Sequence, residues 1–394
     1  MKKEKLFTKD FISTSVVTFV LMLSMYLLLV IMTSYSIEKY DASTSLAGLV
    51  SSIFIIGSLF GRLVAGRFIT QIGTHKMLLM GLVIVVVTLM LYFIPTNIYV
   101  LMLIRLIHGL GLGLATTATG TIVSQILPPS RSGEGIGYFS LSTVLATAIG
   151  PLIGIALLGH FGYTSIFVFS FVVGIISLVL AGFIKAPVIV AKAHQKGFRF
   201  SDYFEKRALP ISIVIFYAAF AYSGILSFIT AYANEIKLVQ AGSFYFLVYA
   251  LAILVSRPFT GRLLDSRGGN SIIYPGLILF AGGLFLLSHT TTTVLFLCAA
   301  VIIGLGYGNL QSTTQAIAVK VTPKERMGLA NSTYFIFLDL GLGFGPFALG
   351  YLVPTYGYSG VYLALAIFSL IGLVLYFFLH GRKDHDLLFP NGRK

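Results

Sequence analysis

Apolar residues gather into twelve long stretches that end at charges, Pro or Gly, at about 11–36, 45–66, 77–95, 98–126, 136–158, 163–184, 209–233, 243–263, 271–289, 293–319, 328–353 and 358–380. A helix needs roughly 20 apolar residues to cross a bilayer, and each stretch is near that length. The pattern therefore predicts an all-α membrane protein of twelve transmembrane helices. Lys2, Lys3, Lys5 and Lys9 precede the first stretch, as they would in a secretory leader. Its apolar run is too long for a leader and lacks a small-residue cleavage site, so it is expected to remain as the first helix. Composition agrees: 57% of the 394 residues are hydrophobic, 10% are charged and the mean hydropathy is +0.94. In an ordinary soluble protein charges supply about a quarter of the chain. The single cysteine, Cys298, excludes an intrachain disulfide and a multi-cysteine metal or cluster site, and no metal or cofactor is expected.

The net charge of +14 changes meaning once the basic residues are placed. With both termini on one side, 22 of the 27 Lys and Arg fall in the tails, the turns on that side and the segment 185–208, while Lys39 and Lys237 fall on the other. Arg62, Arg105 and Arg257 lie within or at the ends of helices. Positive charge marks the cytoplasmic side, so the expectation is a multi-pass protein of the cell membrane with cytoplasmic N- and C-termini. The charge is read as a topology signal and not as a nucleic-acid footprint.

The run KAPVIVAKAHQKGFRFSDYFEKR after Ile184 is the longest polar interruption and divides the chain into an N-terminal bundle 1–184, a connector 185–208 and a C-terminal bundle 209–394. Shifting the sequence by 195 positions aligns Arg62 with Arg257, Gly66 with Gly261, Arg67 with Arg262, Gly73 with Gly268 and Gly81 with Gly276. The same ungapped register pairs Gly109, Gly111 and Gly113 with Gly304, Gly306 and Gly308, Pro128, Arg131 and Gly133 with Pro323, Arg326 and Gly328, and Gly150-Pro151 with Gly345-Pro346. Gly162 and Tyr163 meet Gly357 and Tyr358. Each repeat holds an even number of helices, so the two are parallel, as in secondary transporters whose site lies between halves at the bilayer midplane.

At this point the chain resembles the major facilitator superfamily along nearly its whole length. GRFITQIGTHK (Gly66 to Lys76) and GRLLDSRGG (Gly261 to Gly269) are similar to the family's signature loop G-x-L-x-D-R-x-G-R-K, the second including its acid. RLIHGLGLG (Arg105 to Gly113) resembles the R-x-x-x-G element, and ATAIGPLIG (Ala146 to Gly154) the G-P-x-x-G element of the family's exporters. SRPFTGRLLDSRGG and RMGLANSTYFIFLDLGLGFGP look most like the bacterial arabinose-efflux-permease-like branch of the drug:proton antiporters. The resemblance implies a gating role for Gly66, Gly73, Gly261, Asp265, Arg267 and Gly268. It also carries one departure, Thr70 where the acid of the first loop is expected. In the family that acid locks helix ends and pairs with Arg, so the role must pass to Asp265 or be lost.

Other residues are singled out by physics. Acids within the bilayer are costly unless paired or wet, and Asp339 is the only carboxylate so deep, seven residues before Pro346 and about a dozen after Arg326. It is the first candidate for proton coupling, against a static pairing with a hydroxyl or helix terminus. Arg105 matches the family position linked with coupling, and His108 lies one turn further on the same face, where it either relays a proton or packs. Arg62 and Arg257 are expected to snorkel to the nearer interface. Gly150-Pro151 and Gly345-Pro346 favour bends that act as hinges or as fixed kinks. Gly109, Gly111 and Gly113 read as close helix approaches and not as a dinucleotide fingerprint, which needs a βαβ unit. GYGNLQSTTQ (Gly306 to Gln315) supplies an uncharged hydrogen-bonding face through Asn309, Gln311, Thr314 and Gln315. Tyr217 and Tyr222 stand among Phe216, Phe220 and Phe228, and such walls suit a moderately apolar molecule.

These readings lead to a proton-coupled antiporter that exports small amphipathic drugs or metabolites, with a small-molecule substrate, protons and the bilayer as partners and a monomer as the family expectation. The alternative is an exporter dedicated to one metabolite, such as a siderophore, sugar or lipid-linked product. A membrane enzyme is disfavoured by the lack of HExxH, GxSxG or a buried carboxylate pair, and ATP-driven transport by the lack of GxxxxGK[ST]. A receptor would need an output domain. The NST at Asn331 falls at the predicted inner end of a helix and is read as a chance sequon.

Overall fold

The computed structural model describes residues 4–94, 97–187 and 202–388. Among these, every regular element is helical. The first four helices are α1 (Lys9–Tyr40), α2 (Thr44–Ile72), α3 (Thr74–Leu91) and α4 (Ile98–Ile126). The polar residue before three of the helices caps them. Thr8, Ser43 and Asn97 each accept a hydrogen bond from the backbone N–H three residues on, which satisfies a donor that the first turn leaves open.

The next helix, α5 (Ser132–Gly182), is broken at Gly162, where φ is 75° and ψ −177°. That conformation is open to glycine and costly for residues with a Cβ. The apolar span of 54 residues that contains it is far too long for one crossing, so it makes two. The helices of the second half are α6 (Leu209–Glu235), α7 (Val239–Arg267), α8 (Asn270–Ser288), α9 (Thr293–Ile303), α10 (Asn309–Lys320), α11 (Met327–Gly350), α12 (Val353–Leu379) and the short α13 (Asp384–Leu388). A π-turn, Gly304–Gly308, joins α9 to α10, and the two helices make a single crossing. Gly357, the repeat partner of Gly162, breaks α12 in the same way with φ 66°. Among the described residues, eleven apolar spans, one of them double, thus give the twelve crossings that the hydrophobic pattern predicts.

The signature stretches differ from expectation. Both were expected as loops, yet α2 continues to Ile72 and α7 to Arg267, and only Gly73 and Gly268 leave the helix, at φ 94° and 84°. No glycine or proline with a helix-breaking role precedes them, and Ile69 and Leu264 keep the buried face going.

Packing divides the chain into two compact units. The first holds the described parts of Met1–Leu127 and Ser142–Glu205 together with Lys324–Thr333; the second holds Pro128–Leu141, Lys206–Pro323 and the described part of Tyr334–Lys394. Each unit therefore takes in the beginning of one helix from the other half of the sequence, α11 in the first and α5 in the second. The borrowed segments occupy matching positions in the 195-residue repeat.

Inside the first unit the glycines do what membrane helices need in place of a hydrophobic drive, which is to let backbones meet. A methyl at Gly109 or Gly113 would collide with the carbonyl oxygens of Phe54 and Ser58 in α2, and one at Gly57 or Gly61 with those of Leu106 and Leu110 in α4. Gly111 meets α3, where an added Cβ would lie 2.9 Å from the Gly81 carbonyl oxygen. In the second unit, Gly306 likewise stands against Gly276 and Phe280 of α8.

Gly109→Val should therefore force α2 and α4 apart and destabilise the protein by about 1–3 kcal/mol, the usual cost of overpacking. Gly282→Ala, where an added Cβ meets nothing within 4 Å, should be neutral or slightly stabilising. Thermal unfolding of the purified protein in detergent distinguishes the two.

Candidate functional site

In the second unit, charge concentrates where α5 begins. Asp265, in the last turn of α7, accepts the backbone N–H groups of Gly133 at 2.8 Å and Glu134 at 2.9 Å. A carboxylate at a helix N-terminus meets open donors and the positive end of the helix dipole. Lys320, at the end of α10, adds a salt bridge to Asp265 at 2.6 Å. Glu134 answers with its side chain: it is buried and takes Arg131 at 2.8 Å on one oxygen and Arg262 at 3.1 Å on the other. Gly261 makes the approach possible, since a Cβ there would lie 2.6 Å from the Glu134 Cα. Of the residues predicted around this loop, Gly261 and Asp265 meet the start of α5, Gly268 ends α7 at positive φ, and Arg267 is exposed. Sequence reasoning missed Glu134, Arg262 and Lys320, although Arg262 stood in the repeat alignment.

The matching place in the first unit is built differently. Gly66 meets α11, and a Cβ there would fall 2.7 Å from the Ser332 Cβ. Ser332 donates to the Arg62 carbonyl oxygen at 2.6 Å, and Asn331 donates to Ser124 at 3.1 Å. Thr70 is half-buried. The acid near the start of α11 is instead Glu205, which is buried, forms an ion pair with Arg326 and donates its backbone N–H to Thr333 at 2.9 Å. Two residues earlier, Tyr203 accepts a hydrogen bond from Arg67, whose guanidinium carbon lies 4.8 Å from the centre of the ring.

Of the coupling candidates, Arg105 and His108 lie in the first unit and Asp339 in the second. Arg105 and His108 are buried on the α4 face that meets α2, with Phe54 between them: the guanidinium carbon lies 4.5 Å from the ring centre, and the imidazole stands edge-on at 5.2 Å. Arg105 also donates to the Val50 carbonyl oxygen at 3.3 Å, and His108 shares a 3.0 Å hydrogen bond with the Tyr92 hydroxyl. Asp339 is half-buried in the middle of α11 and, among the described residues, is the only acid more than two residues inside a helix. Gly150 and Pro151 lie within α5, and Gly345 and Pro346 within α11. Gly345 packs against Ser223 of α6, and Gly150 against Tyr26 of α1.

The arginines Arg62 and Arg257 do not snorkel. Both are buried, at 5% and 2% exposure, and polar groups on the neighbouring helix hold them there. Arg62 donates to Thr116 at 3.2 Å. Arg257 donates to Ser312, to Asn309 at 3.4 Å and to the Gly308 carbonyl oxygen at 2.9 Å, and its Nε has no partner among the described residues. Asn309, expected to meet substrate, is held by this network, accepting from Thr260 at 3.0 Å and donating to Ser256 at 2.9 Å. Tyr334 donates to the Gln311 carbonyl oxygen, and its hydroxyl lies 3.3 Å from that of Thr314. Gln315 is buried one turn further along. Tyr222 stacks on Tyr307 of the π-turn at 4.0 Å, with Tyr249 on its flank. Tyr217 turns to α12 instead, stacked on Phe368 at 3.8 Å and donating to its carbonyl oxygen at 2.6 Å. Tyr307 and Tyr334 were missed, since their letters do not distinguish them from interfacial anchors.

Twelve apolar crossings, a repeated half and buried polar networks inside the bilayer define a polytopic membrane transporter. The sequence profile of the Major Facilitator Superfamily matches residues 14–345 and 308–394, and the chain belongs to that family. Its members carry molecules across membranes and are not enzymes. An uncharacterized MFS-type transporter of Methanocaldococcus jannaschii is 26% identical over 372 residues, 92% of this chain and 96% of that protein. One from Burkholderia pseudomallei is 25% identical over 95% of this chain and 93% of its own length. Among solved structures, the human organic anion transporter MFSD10 (TETRAN) superposes with a TM-score of 0.77 at 13% identity, covering 93% of this chain and 98% of that one. The proton:xylose symporter XylE, bound to 6-bromo-6-deoxy-D-glucose, gives 0.72 at 12% identity, covering 94% of each chain. These likenesses carry the fold.

Asp265→Asn should open the start of α5. The Gly133 and Glu134 amides should exchange hydrogen about tenfold faster, equivalent to about 1.4 kcal/mol. Asp386→Asn, at a side chain 89% exposed, should leave both rates unchanged.

Proposed function

We propose that the protein is a proton-coupled antiporter that exports small amphipathic compounds, drugs or metabolites, across the cell membrane by alternating access. Its basic turns and both termini face the cytoplasm, as the distribution of Lys and Arg favours. The halves 1–184 and 209–394 are the bodies that rock about a midplane site, 185–208 links them, and the chain acts as a monomer. SRPFTGRLLDSRGG and RMGLANSTYFIFLDLGLGFGP support a place in the arabinose-efflux-permease-like branch of the drug:proton antiporters.

The observation that carries this reading is the place of Asp339, the acid in the middle of a membrane-spanning helix among the described residues. An ionisable side chain at that depth is a functional candidate by default. Deprotonated, it favours a polar or cationic group of the substrate; protonated, it lets that group go. Competition between proton and substrate for one carboxylate is sufficient for antiport. One charge crossing 100 mV contributes about 2.3 kcal/mol and one pH unit about 1.4 kcal/mol, which together sustain a roughly 10²- to 10³-fold substrate gradient per proton. Arg105 and His108 support the coupling from the first unit, and the α10 face of Asn309, Gln311, Thr314 and Gln315 with Tyr217 and Tyr222 contributes to substrate binding. Gly66, Gly73, Gly261, Asp265, Arg267, Gly268 and the two Gly-Pro pairs serve the gate.

A second reading, an exporter dedicated to one metabolite, gains from Arg257. Its hydrogen-bond acceptors are all neutral, so the charge it carries into the bilayer favours an anionic group nearby. An organic anion is then the substrate class, as the name of MFSD10 states for that protein.

The test is dissipation of an imposed pH gradient in inside-out vesicles by a panel of drugs and metabolites. The intact protein should respond to several compounds, and Asp339→Asn should fall to the level of empty vesicles while keeping its thermal stability. An unchanged response in the variant removes Asp339 from the mechanism; a response to a single organic anion selects the second reading.

A further inference from the structure

The 195-residue register allows the two borrowed helix starts to be compared position by position. At α5, two acids do the work. Asp265 holds the backbone of Gly133 and Glu134, and Glu134 binds Arg131 and Arg262. The positions that match these acids at α11 are Thr70 and Leu329, and neither carries a charge to form an ion pair with a cation. The arginines nevertheless remain: Arg326 matches Arg131, and Arg67 matches Arg262. Two guanidinium groups are thus kept where the acids that engage their counterparts are gone.

Both find partners on the connector. Glu205 pairs with Arg326 while its own backbone N–H is held by Thr333, so the carboxylate is anchored to α11 from two sides. The side chain of Glu205 is 5% exposed, and a buried carboxylate is expensive unless paired. Tyr203 takes Arg67 with its hydroxyl and its ring face, the arrangement in which an aromatic side chain can stand in for an acid. Every one of these residues belongs to the first unit.

We infer that Tyr203 and Glu205 are positioning residues for transport, supplying to Arg67 and Arg326 the partners that Glu134 supplies to Arg262 and Arg131 in the other repeat, and thereby holding the start of α11 on α2. The inference rests on the alternating-access reading. The arginine pairing that Glu134 provides within the repeat at α5 is thus made at α11 by residues outside the helical repeats, so the two helix starts are released by different events. At α5 release requires breaking contacts made by α7 and α10, while at α11 it requires breaking those of Tyr203 and Glu205. Because α11 carries Asp339, the connector controls the helix that holds the proposed proton site.

The experiment is a distance measurement by pulsed electron spin resonance in lipid nanodiscs, with Cys298 replaced by Ser and spin labels on Gln71→Cys and Lys324→Cys, both exposed positions of the first unit. The wild-type background should give one short distance. Glu205→Gln should raise the long-distance population roughly threefold to tenfold, as expected on losing one half-buried ion pair. Arg326→Gln should do the same from the other side and serves if Glu205→Gln does not fold; Glu205→Asp should stay near the wild type. The decisive variant is Thr70→Asp in the Glu205→Gln background. It restores the acid that Asp265 represents in the other repeat and should return the distribution to the short distance, which a merely structural loss would not do. Distributions unchanged in both Glu205→Gln and Arg326→Gln, or no recovery with Thr70→Asp, would overturn the inference. Neither substrate nor protons enter this measurement, so it fails or succeeds separately from the vesicle assay of proton-coupled export.

Discussion

The beginning of α5 is held by a carboxylate on open backbone donors, and the arrangement of charge around it follows from that contact. A helix start leaves N–H groups without partners, and inside an apolar protein those groups must be met by something. Asp265 meets two of them, which fixes α7 against α5 and draws Lys320 and Arg262 to the same place. Gly261 is a glycine because the backbone of Glu134 occupies the space a side chain would need. The borrowed segment Pro128–Leu141 belongs to the second unit for these reasons, although it precedes that unit by more than sixty residues in sequence.

The first unit solves the same problem with different residues. Its α2 also meets α11 at the matching glycine, where Gly66 faces the Ser332 side chain, so the helix contact is kept while the charge is not. A repeated architecture constrains backbone approach more tightly than the identity of the groups that pin it. Close approaches demand glycine at a fixed position, whereas an acid can arrive from any segment that reaches the arginine. That difference explains why the glycines and arginines of the two repeats match so fully while Asp265 and Glu134 have no equivalents.

The twelve crossings and the duplication were legible in the sequence, because hydrophobic length and ungapped repetition are properties of neighbouring letters. The close-packing role of Gly109, Gly111 and Gly113 was legible too, since small residues have few other uses in a membrane helix. The limits of α2 and α7 were not: a polar signature suggested a loop, but helix continues until a residue is forced to positive φ, at Gly73 and Gly268. The burial of Arg62 and Arg257 was missed because snorkelling is a property of one side chain, while internal pairing depends on what a helix more than fifty residues away presents. Glu205 lies 121 residues from Arg326, in a stretch whose composition reads only as polar linker. Its pairing with Arg326 becomes visible only in the folded chain.

The π-turn between α9 and α10 has a mechanical consequence. Such a turn widens the helix and disturbs the regular ladder of carbonyl acceptors. Here the Leu305 carbonyl oxygen takes the Asn309 amide and that of Gly308 takes the Arg257 guanidinium, each at 2.9 Å. A cation rooted in one helix and fastened to the main chain of another stops the two from sliding lengthwise. In the first unit Arg105 of α4 reaches the Val50 carbonyl oxygen of α2 in the same manner, with no π-turn beside it. In the second unit, α7 and the α9–α10 crossing form one stiff strut, and any internal flexing has to be found among the helices that carry no such rivet.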